Sequence, residues 1–372
     1  MNSRSTNTTL KILWLSPNLN HYKARFLNHL AKEVDIDLTI LSGAGREAMG
    51  DAQIDEDWVF QHKKLNVLKK KFGTSKLVRE SLKVYFNKYD WILIPAEKKN
   101  LLLFLYANLL KSKSSKTKLF SYNHPILKSG NGKISYLDRL LTKFYYRKLD
   151  RVVFYTEQSC KWALQNNLIE PSKAFWANNT IDTNEIDENY IFQLPPENKP
   201  NILFIGRLIA TKRIQDLMSY YKELKSHIPN LTLDIIGDGP ENSLIKKAAE
   251  TDLDITWHGT LVNEVDIAPI MKKTTLVFIP GHSGLSINHA FAYGRPYITL
   301  NGPSHAPELD YIDSGINGYV LDDDINTNIS ILKKLLLNRN MLEGFCENAK
   351  VKGEYLAVKN WVNQFKLSLQ YD

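Results

Sequence analysis

Leu10-Lys-Ile-Leu-Trp-Leu-Ser16 is apolar at nearly every position and ends at Ser16-Pro17-Asn18. A continuous apolar run of that length, closed by turn residues, predicts a buried strand. Phe26, Leu27 and Leu30 then fall at helical spacing in a segment running to Lys32. The same alternation continues, with strands predicted over 36–41, 91–95, 118–122, 151–156 and 173–176 and helical stretches between them. Pro195-Pro196-Glu-Asn-Lys-Pro200 interrupts it as a polar, proline-rich break. After the break it restarts at 202–205, 232–236, 255–258, 276–279 and 297–300. Strands alternating with helices predict an α/β fold with parallel sheets. Two doubly wound, Rossmann-like domains would leave a central cleft outside the carboxyl ends of their strands. The break divides the chain into 1–194 and 195–356, with an amphipathic helix over 359–369 at the end.

The chain's 372 residues exceed one typical core and fit two domains. A net charge of +8 points to an anionic partner: phosphorylated small molecules, a phospholipid surface or nucleic acid. No nucleic-acid recognition motif accompanies the charge, so no nucleic-acid role is expected. Cys160 and Cys346 lie far apart without metal-ligand spacing and read as buried thiols in a reducing cytosol. Met1 to Thr9 lacks the apolar core of a secretory signal, so a cytoplasmic protein is expected. The apolar run Asn100 to Leu110 is too short to cross a bilayer and reads as a buried helix. Membrane contact would then be peripheral, at the inner face of the plasma membrane. Basic clusters at Lys63-Lys64, Lys69-Lys70-Lys71 and Lys111 through Lys118 either dock on anionic lipid or form solvated faces. Three Asp-x-Asp strings, at Asp35, Asp252 and Asp322, lack the context of a metal site and read as surface charge; no metal is expected.

Candidate chemistry concentrates at predicted strand ends. Gly206-Arg207 follows the first strand after the break directly, and Lys212 lies five residues on. An arginine fork and a lysine point charge at that place suit a diphosphate, unless both are simply solvated. Gly237-Asp-Gly239-Pro240 and Trp257-His258-Gly259-Thr260 end the next two strands. Glycines there permit close backbone approach, or serve plain turns. Pro280-Gly281-His282-Ser283-Gly284-Leu285 follows a fourth strand and precedes a helix, which predicts N–H groups of Ser283, Gly284 and Leu285 aimed at an anion. In the first half, His21, Lys23 and Arg25 follow the first strand, and Asn123-His124-Pro125 follows a later one. Each histidine is equally explained as structural.

The order from Asn201 to Leu321 resembles the nucleotide-sugar-binding half of a GT-B glycosyltransferase, most closely the retaining family four. The resemblance implies a metal-independent enzyme with no cofactor. It would move a hexose-type sugar from a nucleotide-diphosphate sugar to a glycan or polyprenyl-linked acceptor in cell-surface polysaccharide or lipopolysaccharide biosynthesis. It implies diphosphate binding by Arg207 and Lys212, nucleotide contacts near Gly206, Gly237, Gly239 and Gly259, and a sugar-side histidine at His124. It also implies that the last helix, about 357–372, returns to the first domain. Where the family usually has two glutamates eight residues apart, this chain has Gly281 and His289. Gly284-Leu285, His289 and Tyr293-Gly294-Arg295-Pro296 resemble the pattern of a subset of bacterial surface-polysaccharide transferases. His289 would then hold the ribose, or be a helix histidine satisfied by packing. Glu308, at an acidic position the family retains, becomes the candidate acid of the donor pocket, with His305 facing it. Two other readings share the fold: a sugar-nucleotide 2-epimerase, and a non-catalytic protein that binds a sugar nucleotide or a membrane surface.

Overall fold

The structure, a computed structural model, describes residues 9–16, 19–43, 57–64, 82–113, 116–127, 134–302 and 305–370. The chain forms two compact units, residues 1–181 with 358–372, and residues 182–357.

The first unit is built on a seven-stranded parallel sheet. Its strands are β1 (Leu10–Ser16), β2 (Ile36–Ser42), β3 (Gln61–Lys64), β4 (Trp91–Leu93), β5 (Lys118–Asn123), β6 (Arg151–Phe154) and β7 (Ala174–Trp176). Their order is β3-β2-β1-β4-β5-β6-β7, so the winding reverses between β1 and β4. Apolar side chains on both faces of β1 explain the central place of that strand: Leu13 and Leu15 pack on one core cluster, Ile12 and Trp14 on the other. The sequence pattern misses β3, because Gln61-His-Lys-Lys64 at the sheet edge carries no apolar signal.

Helix α1 (His21–Ala31) starts on the Asn20 cap, whose side chain accepts from the Lys23 N–H. Helices α2 (Leu101–Ser112), α3 (Tyr136–Lys148) and α4 (Glu157–Gln165) follow in chain order. Far along the chain, Val358–Gln370 forms the last helix and belongs to the first unit. Its Trp361 ring packs edge-on against Phe26 of α1, and its indole N–H donates to Tyr122 Oη at 3.1 Å. Lys366 of the same helix bonds Asp35 at 2.6 Å and Glu33 at 2.7 Å. Asp35, read above as surface charge, is thus a tether for the last helix. One sequence expectation holds only for one face: α2 buries Leu103, Phe104 and Ala107, but Leu102, Leu105 and Leu109 face solvent. The basic cluster at Lys69-Lys70-Lys71 lies outside the described residues.

The second unit has a six-stranded parallel sheet in the order β10-β9-β8-β11-β12-β13. These strands are β8 (Asn201–Ile205), β9 (Thr232–Ile236), β10 (Ile255–Trp257), β11 (Leu276–Phe278), β12 (Tyr297–Leu300) and β13 (Gly318–Leu321). Its winding reverses between β8 and β11. The helices here are α5 (Thr183–Asn189), α6 (Ile214–His227), α7 (Asn242–Thr251), α8 (Glu264–Lys273), α9 (Ser286–Ala292), α10 (Ile325–Leu337) and α11 (Arg339–Tyr355).

The division between units falls at Ile181/Asp182, ahead of the proline-rich break, rather than at 194/195. Burial of Arg295 shows why. Its guanidinium is fully enclosed and donates to the carbonyls of Met271 and Gln193 at 3.0 Å each and to Tyr190 Oη at 3.0 Å. A buried guanidinium needs every one of those acceptors. Tyr190 and Gln193 are therefore part of the second unit, and Arg339 donates to the Pro195 carbonyl at 2.7 Å.

Replacing Trp361 by Ala removes a fully buried indole and orphans its hydrogen bond to Tyr122. The expected cost is roughly 3–5 kcal/mol. It is read as a lower urea midpoint for the first unit, followed by near-ultraviolet circular dichroism.

Candidate functional site

The reversal between β8 and β11 brings two loops together at the carboxyl end of the second sheet. In doubly wound sheets, ligands bind outside such a switch point. Here Gly206-Arg207 leaves β8, and Pro280-Gly281-His282-Ser283 leaves β11. The two loops are joined backbone to backbone: Gly281 N–H donates to the Lys212 carbonyl at 3.1 Å, and His282 N–H to Thr211 at 2.7 Å. A Cβ on Gly281 would stand 2.1 Å from the Thr211 oxygen and 2.6 Å from the Lys212 carbonyl carbon. The side chain at 281 is thus excluded by backbone, and a glutamate cannot occupy that position in this arrangement.

Lys212 folds back over the strand end. Its Nζ would lie 3.7 Å from a Cβ built on Gly206, and it donates to the His282 carbonyl at 2.6 Å. Among the described residues it has no acidic partner. Burial first, and the neighbouring Arg207 charge second, lower its pKa to about 8. Arg207 is exposed at the mouth of the same loop. Gly237, with φ +134°, sits against Gly206: a Cβ there would meet the Gly206 oxygen at 1.9 Å. Its N–H donates to Gly259 at 2.6 Å, which ties the ends of β8, β9 and β10 together. Gly239 lies against the Leu208 backbone in the same layer. His258 is engaged elsewhere, 2.5 Å from the buried carboxylate of Asp234, which also receives Asn201 and Lys273.

The turn before α9 departs from the expected anion cradle. Ser283 is wholly buried, and its N–H donates to His305 Nδ1 at 3.2 Å. The His305 Nε2–H in turn donates to the Leu300 carbonyl at 2.8 Å. That pair of bonds requires the neutral ring, and burial lowers its pKa in the same sense. The Ser283 N–H is therefore committed within the protein, leaving Gly284 and Leu285 as the part of the turn suited to a ligand. Glu308, buried in the 3-10 turn Pro307–Tyr311, reaches this place: its Oε2 lies 3.8 Å from a Cβ built on Gly284.

His289 is tied to a residue that the sequence reading missed. Its Nε2 lies 2.9 and 3.0 Å from the two carboxylate oxygens of Glu264, the first residue of α8. Tyr293, one turn on, donates to Glu264 Oε2 at 2.7 Å. The Glu264 N–H donates to the Glu185 carboxylate at 3.2 Å. Burial opposes charge on the imidazole, yet Glu264 and then Glu185 outweigh it, and the pKa of His289 is raised. A histidine and a tyrosine at i and i+4 before Gly294 signal one polar helix face that needs a buried acid. That acid comes from another helix, which periodicity cannot indicate.

In the first unit, His21 opens α1, and Lys23 Nζ lies 3.4 Å from Ser16 Oγ at the end of β1. Arg25 lies two residues further along the same helix. His124 follows β5 with its ring edge-on to Tyr155, and its carbonyl accepts from Tyr146 at 2.6 Å. Ser42, ending β2, is 2.8 Å from His62 Nε2. No cluster of His, Cys, Asp or Glu among the described residues could hold a metal. Cys160 and Cys346 are buried free thiols, each pushed up to about 11, chiefly by burial.

Two six- and seven-stranded parallel sheets, each wound in both directions around a switch point, define the GT-B fold. Residues 186–352 match the family model described as glycosyl transferases group 1. Over the whole chain, the structure resembles a glycosyltransferase from Rickettsia africae (TM-score 0.71, 15% identity, covering 98% of this chain and 100% of that one). It also resembles Anabaena HepE in complex with UDP (TM-score 0.68, 14% identity, 97% and 99% covered). A curated relative, an uncharacterized glycosyltransferase of Methanocaldococcus jannaschii, is 26% identical over 229 residues. That match takes in 59% of this chain and spans 57% of the relative.

Two substitutions probe this architecture. Gly281→Ala forces backbone apart and should lower stability by about 1–3 kcal/mol or more. Glu264→Ala leaves His289 and the Tyr293 hydroxyl buried without their acceptor, at roughly 3–5 kcal/mol for a broken buried pair. Urea denaturation of the second unit measures both. Because the folded pKa of His289 is raised, its contribution is complete below the unfolded value near 6.5 and is lost as pH rises through the folded value. That slope should vanish in Glu264→Gln.

Proposed function

We propose that the protein is a glycosyltransferase that moves a sugar from a nucleotide-diphosphate sugar to a glycan or lipid-linked acceptor, with retention, in cell-surface polysaccharide assembly. One observation carries the reading: a buried lysine ammonium, with no acidic partner among the described residues and lowered to about 8, set beside Arg207 at the switch point of the second sheet. Two cations at a strand end concentrate positive charge where a departing nucleoside diphosphate develops negative charge. UDP in the similar Anabaena structure supports this choice of ligand class.

In this mechanism Arg207 and Lys212 neutralise the diphosphate, and the turn at Gly284 and Leu285 receives its distal oxygens. Gly206, Gly237, Gly239 and Gly259 let backbone approach the nucleotide. His289, held by Glu264, bonds the ribose, and Glu308 faces the transferred sugar. Acceptor binding falls to His21, Lys23, Arg25 and His124 of the first unit. The leaving phosphate takes the acceptor proton, and Arg207 and Lys212 supply the charge neutralisation, so this reading needs neither metal nor cofactor. A polyprenyl-linked acceptor would bring the protein to the inner face of the plasma membrane.

Arg207→Ala should reduce transfer by two to three orders of magnitude, as loss of one charge-stabilising donor does. Incubation with a panel of sugar nucleotides and lipid-extract acceptors, read by proton NMR of the product's anomeric centre, tests this and the retention. Near-normal transfer by the variant, or release of an isomerised sugar without an acceptor, would overturn the reading. Nucleoside diphosphate affinity should also fall above pH 8, approaching tenfold per unit, because the bound anion needs Lys212 protonated. In Lys212→Met that slope should disappear, as followed by isothermal titration calorimetry.

A further inference from the structure

The first unit exposes two apolar helix stripes that its core does not use. On α2, Leu102, Leu105 and Leu109 are 52%, 43% and 52% exposed, at i, i+3 and i+7. On α3, Leu137, Leu140 and Phe144 repeat that spacing, 73%, 45% and 39% exposed. The two helices are neighbours: the Phe104 ring stacks on Tyr145 at 4.0 Å and meets Phe144 at 6.1 Å. Lys98, just ahead of α2, forms an ion pair with Asp138 of α3. The inward faces already hold Leu103, Phe104, Ala107, Tyr145 and Tyr146, so the outward leucines add nothing to that core. Contiguous exposed apolar surface on a folded chain marks an interaction site.

Charge selects the occupant. Every charged residue within α2 and α3 is basic except Asp138, which is buried and paired. Lys143, Arg147 and Lys148 are exposed, as is Lys113 just beyond α2. The flanking acids, half-buried Glu97 ahead of α2 and Asp150 just beyond α3, are bonded to Lys99 at 2.5 Å and to Lys111 at 2.6 Å. A second copy docking through the same face would set cations against cations. An apolar stripe flanked by lysine and arginine matches instead an anionic bilayer, into which leucines insert while the cations meet headgroup phosphates. No described helix is long and apolar enough to cross a membrane, so the contact is interfacial.

We propose that the outward face of α2 and α3 is a docking surface for anionic phospholipid membranes. The proposal does not depend on the sugar-transfer chemistry. Its test is flotation of the full-length protein with vesicles of phosphatidylcholine alone and of phosphatidylcholine with 30% phosphatidylglycerol. Binding is expected only to the anionic vesicles, and it should weaken steeply with salt. Leu105→Gln/Leu137→Gln/Leu140→Gln, at exposed positions, should weaken it at least tenfold. Lys143→Glu/Arg147→Glu should do the same, since each cation near an anionic surface contributes roughly fivefold in affinity. Lys246→Glu/Lys247→Glu, an equal charge change at exposed positions of α7 in the second unit, should leave binding intact. An unchanged thermal midpoint shows that the variants fold. Equal binding by the leucine variant, an equal loss in the α7 variant, or no vesicle binding at all would overturn the proposal. So would a dimer, by light scattering, that the leucine variant converts to monomer while vesicles are ignored.

Discussion

Two backbone hydrogen bonds, from Gly281 to Lys212 and from His282 to Thr211, set the geometry of the second unit's switch point. Strand ends in a doubly wound sheet ordinarily diverge where the winding reverses, and the opening is what admits a ligand. Here the two loops are drawn together until no side chain fits at 281. The closeness covers Lys212, strips water from its ammonium and holds it over Gly206. The unusual residue in the motif and the unusual state of the lysine therefore share one cause. No hole stands where a side chain at 281 would lie; the backbone of the facing loop fills that place.

The buried acids near this turn come from other elements. Glu264 arrives from the start of α8 and Glu308 from the turn after β12, both buried, the first bonded to His289 and the second beside Gly284. A histidine backed by a carboxylate offers a ligand hydroxyl its remaining ring nitrogen, whereas a lone glutamate offers two oxygens. The His289–Glu264 pair rests on a contact between helices distant in sequence, so its geometry depends on how α8 and α9 pack.

Much of this was legible in the sequence, because strand ends, glycines and cations act locally. The runs around Leu10–Ser16 and Asn201–Ile205 are apolar on both faces, and central parallel strands require that. Gly206, Arg207 and Lys212 fall within one turn of a strand end, so their meeting follows from short-range geometry. Other features depend on partners that no periodicity announces. Gln61–Lys64 forms a strand only because β2 offers it an edge. Ser283 looked like a phosphate donor, but its N–H is taken by His305 from a loop 22 residues on. The stretch Leu101–Ser112 reads as core by composition, yet three of its leucines face water, since hydrophobicity alone does not say which neighbour covers a helix.

Arg295 has a consequence for how the chain is divided. Its five guanidinium donors find only uncharged acceptors, and two of these, the Gln193 carbonyl and the Tyr190 hydroxyl, lie ahead of the proline-rich break. A fragment beginning after Leu194 would enclose a positive charge with its hydrogen bonds unmade. The second unit thus begins near Asp182, and the break at Pro195-Pro196 is a largely exposed strap within it. Shuffling such halves between related proteins would have to carry that strap along, so the unit of inheritance is longer than the stretch that looks like a domain.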